Sequence, residues 1–204
     1  MTPEKILTRQ RLRRLSETYS VTLSPLQERQ LEIFLGLLLK WRSQINLMSE
    51  PNIDRLLDLH VFESLWLAHT MLPSRGRMAD IGSGAGFPSI PAKIYTGRLS
   101  LVCIERQHKK TTFLGEAVRQ AKLEDVALFS GRWQDFASWE TVDFVTLRAL
   151  HPPAELLQRL ARQGLALFHL HSAEQPLAGS TYQCVRQVQV PASRQRIASF
   201  LRPT

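Results

Sequence analysis

Cysteine is nearly absent: Cys103 and Cys184 are the two found among 204 residues. One sits in an apolar run and the other near the C-terminus, so no disulfide framework and no thiolate metal cluster is expected, and both read as reduced thiols. Long hydrophobic runs are lacking as well. The longest, Ile33 to Leu39, contains Gly36 and falls far short of the ~20 residues needed to span a bilayer. Where a signal peptide would carry its apolar centre, the chain has Glu4, Arg9, Arg11, Arg13 and Arg14. These absences predict a cytoplasmic protein with no membrane contact and no metal.

Acidic residues are scarce too. There are 18 Asp+Glu against 26 Lys+Arg, giving a formal charge of +8, and no acid follows Glu174. Arginine outnumbers lysine, and its planar fork suits phosphate, so nucleic acid is the partner that charge suggests; an ordinary basic solvated surface is the competing reading. What is present is ordinary. A hydrophobic share of 44% and a charged share of 22% exclude a disordered or fibrous chain, and the length suits one α/β domain with a small appendage.

Along the chain, Thr2-Pro3 reads as a helix start, with Ile6, Leu12, Leu15 and Tyr19 near one face. Ser24-Pro25-Leu26-Gln27 is a stronger start, a capping box followed by Leu31, Phe34, Leu35, Leu38, Trp41 and Ile45 at helical spacing. A third helix is predicted from about Ile53 to the Pro73-Ser74 break. Residues 1–73 therefore form a helical extension, and 74–204 a ligand-binding domain packed with it as one compact unit. From Arg77 the period changes. Apolar runs at Met78 to Ile81, Leu99 to Ile104, Val126 to Phe129, Val142 to Leu147 and Leu165 to Leu170 alternate with helical patterns at 88–96, 108–121 and 152–163. This predicts a mostly parallel sheet with crossover helices, closed by an antiparallel hairpin from Tyr182 to Val190 and Ile197 to Leu201.

Asp80-Ile81-Gly82-Ser83-Gly84-Ala85-Gly86-Phe87-Pro88 places three glycines between the first strand and a helix. Glycine lets a backbone approach a ligand closely, and this edge of an α/β sheet is where ligands bind. The spacing differs from the dinucleotide fingerprint, and Pro88 and Pro91 remove N–H donors from the helix start. A ligand without phosphate is favoured, and S-adenosylmethionine is one. Glu105 ends the second strand, twenty-three residues after Gly82, where an acid can accept both ribose hydroxyl protons; a helix-capping charge is the alternative.

These segments resemble the RsmG (GidB) family of guanine-N7 methyltransferases of bacterial 16S rRNA. The resemblance covers nearly the whole chain: Lys40-Trp41 with Asn46-Leu47-Met48-Ser49, His60-Val61-Phe62-Glu63-Ser64-Leu65, the doubled-proline glycine loop, Glu105 followed by Lys109-Lys110-Thr111-Thr112-Phe113-Leu114, Gly131-Arg132-Trp133-Gln134-Asp135, and Thr146-Leu147-Arg148-Ala149. It implies a Rossmann-like, S-adenosylmethionine-dependent class I methyltransferase fold with an N-terminal helical extension. It further implies methylation of guanine N7 in the decoding-centre stem-loop of 16S rRNA or of the small subunit, by a monomer. In the family the turn bearing Trp133 and Gln134 meets adenine, and the arginine at Arg148 borders the methyl donor. Four positions depart from its pattern: Ser89 replaces glycine, Gln134 an acid, Leu147 a small hydroxyl residue and His171 a lysine.

The candidate donor site is thus Asp80, Gly82, Gly84, Gly86, Phe87, Glu105, Trp133, Gln134 and Arg148. Arg148 is the candidate catalytic residue, placing the target guanine or its phosphate through bidentate hydrogen bonds; an arginine bridging sheet and helix is the alternative. Asn46, His60, Lys109, Lys110 and Arg132 are candidates for contact with RNA, as are the N-terminal arginines. Guanine N7 carries no proton, so its attack on a sulfonium methyl requires no general base. Two other classes stay open: an RNA- or ribosome-binding module without turnover, and a methyltransferase acting on a small molecule or protein.

Overall fold

The computed structural model describes residues 6–48, 50–148, 151–173, 181–191, 193 and 195–204. Four N-terminal segments come first: α1 (Arg9–Tyr19), α2 (Pro25–Trp41), α3 (Ile53–Leu56) and, after a π-helical stretch at Leu57–Phe62, α4 (Glu63–Thr70). Among the described residues the first helix begins at Arg9. Thr8 caps it, accepting from the Arg11 N–H, whereas Thr2-Pro3 lies outside the described residues. The capping box at α2 forms as expected: Ser24 accepts from the Gln27 N–H, and the Gln27 side chain accepts from the Ser24 N–H at 2.8 Å.

The remaining chain alternates: β1 (Gly76–Ile81), α5 (Ser89–Thr96), β2 (Leu99–Glu105), α6 (His108–Gln120), β3 (Val126–Ser130), β4 (Phe144–Arg148), α7 (Ala154–Arg162), β5 (Ala166–Ser172), β6 (Tyr182–Gln189) and β7 (Arg196–Pro203). The strands form one sheet in the order β3-β2-β1-β4-β5-β7-β6. The first five are parallel, β7 runs antiparallel between β5 and β6, and the order reverses between β1 and β4, the kind of position at whose carboxyl-end edge such sheets bind ligands. Two apolar layers cover the sheet. One joins Leu31, Phe34 and Leu38 of α2 to Ile90 of α5 and to Phe113 and Leu114 of α6; the other packs Leu156 and Leu160 of α7 on Val145 and Leu147. Phe34 lies 5.5 Å from the Phe87 ring, so the helical extension buttresses the glycine loop directly. Among the described residues no helix is long and apolar enough to cross a membrane.

Candidate active site

The loop after β1 is shaped by backbone conformations that side chains resist. Gly82, Gly84 and Gly86 have φ of 74°, 55° and 85°, and a Cβ on Gly86 would lie 2.7 Å from Ile90 Cγ1. The loop is tied to β2: the Gly82 N–H donates to the Ile104 carbonyl at 2.8 Å, and the Gly84 N–H donates to Glu105 Oε2 at 2.9 Å. The other Glu105 oxygen accepts from the Gln107 N–H at 2.8 Å. Each carboxylate oxygen has room for a second donor, so Glu105 is fixed at the cleft without being saturated.

Here a cavity of about 420 Å³ opens, inside the ~300–1,000 Å³ typical of small-molecule sites. Gly82, Glu105, Arg132, Trp133 and Gln134 line it, with Arg106, Gln107 and Pro153 added by the structure. Trp133 and Gln134 lie in a single 3₁₀ turn, Trp133–Asp135. Arg159 of α7 holds that turn, donating from Nη1 to the Gln134 carbonyl at 2.9 Å. Two larger hollows lie elsewhere, against the α1 arginines (790 Å³) and where α5 and α6 end (730 Å³). Neither is at the carboxyl ends of the parallel strands.

Asp80, Phe87, Arg148 and His60 form a second group. Asp80 is buried; Thr146 donates its hydroxyl to Oδ1 at 2.8 Å, while Oδ2 has no hydrogen-bond partner. Burial pushes its carboxyl up to about 6, against the opposing effect of the Ser89, Thr146 and Ser83 hydroxyls and of Arg148. The Phe87 ring lies between His60, with centroids 5.4 Å apart, and the Arg148 guanidinium, 5.8 Å from its centre. Burial, reinforced by Arg148 and Arg196, holds His60 down to about 3, so its ring is neutral.

Arg148 Nη2 donates to the Leu59 carbonyl and lies 3.4 Å from Glu63 Oε2. Its side chain is 9% exposed and its Nε has no partner. It therefore bridges β4 and the π-helical stretch, and with Nη2 engaged the free two-pronged fork expected from the sequence is not what this geometry presents. Burial pulls the guanidinium down to about 10, opposed by Glu63, which leaves it charged at neutral pH.

The other expected residues are dispersed. Lys109 and Lys110 sit in the first turn of α6, two and three residues beyond the cavity-lining Gln107, and do not line the cavity themselves. Asn46 is exposed in the turn after α2 and does not line the cavity. Three N-terminal arginines face acids: Arg11 meets Asp54 at 2.9 Å, Arg14 meets Asp58 at 3.2 Å and Arg13 meets Glu17 at 2.8 Å. Among the departures, Leu147 is core, and Thr146 carries the hydroxyl one residue earlier, against Asp80. His171 is buried; its Nδ1 faces the Ser172 carbonyl, which can only accept, and Nε2 meets Ser199 Oγ at 2.8 Å. That place is closed to a phosphate.

Sequence reading missed Glu63, the Leu59 carbonyl and Arg159. Their only signal was the H-x-x-E spacing of His60 and Glu63, which a helix face explains equally well.

Comparison with solved structures agrees with the fold. A SAM-dependent methyltransferase from Aquifex aeolicus superposes with a TM-score of 0.58 at 18% identity, covering 79% of this chain and 98% of that one. The TYW2 protein of M. jannaschii, solved with AdoMet, gives 0.53 at 12% identity, covering 71% and 76%. Among curated relatives, ribosomal RNA small subunit methyltransferase G 1 of Syntrophobacter fumaroxidans is 32% identical over 157 residues, 74% of this chain and 71% of that protein. The methyltransferase G of Laribacter hongkongensis is 37% identical over 146 residues, 72% and 69%. The family model described as rRNA small subunit methyltransferase G matches residues 27–190, and with these relatives it shows that the chain belongs to the GidB family.

Proposed function

We propose that this chain transfers the methyl group of S-adenosylmethionine to N7 of a guanine in the decoding-centre stem-loop of 16S rRNA. The observation that carries the reading is the cavity between the Gly82 loop, Glu105 and the Trp133-Gln134 turn. Its residues fit the donor: Glu105 keeps accepting capacity for the ribose hydroxyls, Gln134 offers an amide and Trp133 a flat face to adenine. Asp80 does not line the cavity; it is buried behind the loop at the end of β1, and its partnerless Oδ2 suits the ammonium of the amino-acid end.

Bound there, the donor supplies an electrophilic methyl carried on a sulfonium. The chain's own task is orientation and exclusion of water. Holding nucleophile and methyl in line can supply ~7–11 kcal/mol at the upper limit, and no residue has to move a proton because N7 has none. Arg148 contributes a single prong. A guanidinium chelating both O6 and N7 would cover the attacking lone pair, whereas Nη2 pinned to Leu59 leaves the remaining N–H groups for O6. Neutral His60 places no second cation beside the sulfonium. Arg106 and Arg132, which line the cavity, and Lys109 and Lys110 in the first turn of α6 suit the RNA backbone. A ribosomal substrate suits a cytoplasmic location, and a donor site whose proposed residues all come from one chain suits a monomer.

The test is incubation with labelled donor and either naked 16S rRNA or small subunits, followed by mapping of the modified base. One labelled guanine, methylated at N7, is expected. Label on no nucleotide, or on protein alone, contradicts the reading.

A further inference from the structure

Outside the donor cavity, the most concentrated buried charge lies where α4, β4 and β7 meet. Glu63, the first residue of α4, is 1% exposed. Its Oε2 faces two guanidiniums from different strands, Arg148 at 3.4 Å and Arg196 at 3.5 Å, while Oε1 has no partner. The π-helical stretch just before it opens the chain around Leu59, whose carbonyl takes the same Arg148 nitrogen that faces Glu63. Such widened turns are rare and recur at functional sites. A buried ion pair adds little stability over apolar residues of similar volume, so stability alone gives a weak account of this arrangement.

We propose that Glu63 is a positioning residue for the reaction: with the Leu59 carbonyl it fixes the Arg148 guanidinium at the angle from which it meets the base, and Arg196 anchors Glu63 from the opposite side. This rests on the role given to Arg148 above. Glu63 touches neither donor nor RNA and acts through Arg148, so its removal impairs turnover and leaves donor binding intact. Misplacing a positioning group by about 1 Å is worth up to ~100-fold in rate.

The test is a double-mutant cycle on the full chain, with labelled transfer to small subunits giving kcat and KM and calorimetry giving donor affinity. In Glu63→Gln, kcat is expected to fall about 10- to 100-fold with donor affinity within about twofold of wild type. In the Arg148→Gln background the same substitution is expected to cost nothing further. An unchanged kcat in Glu63→Gln, or an equal loss in both backgrounds, overturns the inference while leaving the methyltransferase reading intact. Wild-type protein that transfers no methyl to RNA overturns that reading and the inference with it. Should Glu63→Gln fail to fold, Arg196→Gln replaces it in the cycle: a kcat loss seen only where Arg148 is present supports the inference, and no loss, or a loss in both backgrounds, refutes it.

Discussion

At the residue scale, Asp80 and Gly86 are the most exacting positions. Gly86 combines a φ of 85° with an approach to Ile90 that leaves no space for a methyl group. Gly86→Ala is therefore expected to destabilise the protein by ~1–3 kcal/mol and to loosen the donor site, as read by thermal unfolding with and without donor. Asp80 sets a pH window. Burial raises its folded-state pKa from 3.8 to about 6, so between these values the folded chain holds more protons than the unfolded one. Stability thus falls as pH rises through that window. If Asp80 meets the donor's ammonium as proposed, donor affinity runs the other way: the anion is lost below about pH 6, and Kd should climb as the medium is acidified. Asp80→Asn should flatten both profiles, and an unchanged Kd-versus-pH curve in that variant would remove Asp80 from the donor site. The placement of Asp80, Gly82 and Glu105 at the ends of β1 and β2 was legible in the sequence because it follows from position along the chain. Glu63 was not, since its partners lie 85 and 133 residues away and only the folded sheet brings them together.

At the element scale, cap chemistry and period located nearly every helix and strand. The Ser24 box and the change of period from Arg77 both state their geometry locally. The winding ahead of α4 does not. The π winding at Leu57–Phe62 shows no propensity signature, and the Leu59 carbonyl within it accepts from Arg148 of another element. Ser24→Ala is expected to cost about 1 kcal/mol, seen as a lower Tm with unchanged donor affinity. Arg159→Gln addresses a different element. Freed from α7, the Trp133–Asp135 turn should hold adenine less well, raising the donor Kd about tenfold while kcat at saturation stays near wild type, the pattern of a lost uniform binding interaction. A kcat loss at constant KM would place Arg159 elsewhere in the mechanism.

At the scale of the whole molecule, the helical extension and the sheet share one apolar cluster, with Phe34 joining Phe87 and Phe113. We propose that they fold as a single unit: Phe34→Ala should cost ~3–5 kcal/mol and weaken donor binding through the loop it supports, as a melt and a titration of one sample would show. The basic surface also takes a different form from its sequence. Much of the α1 charge is matched by Asp54, Asp58 and Glu17, so the proposed RNA contact falls to Arg106, Arg132, Lys109 and Lys110. Log affinity for RNA should fall linearly with log salt, with a shallower slope for Lys109→Ala and Arg132→Ala than for wild type. The account as a whole depends on the adenosyl end of the donor lying between Gly82, Glu105 and Trp133. The most direct measurement is a calorimetric titration of the wild-type and Glu105→Ala proteins with S-adenosylmethionine: the account predicts one site per chain in wild type and loss of most of the affinity in the variant, and equal binding by both proteins, or no heat from wild type, contradicts it.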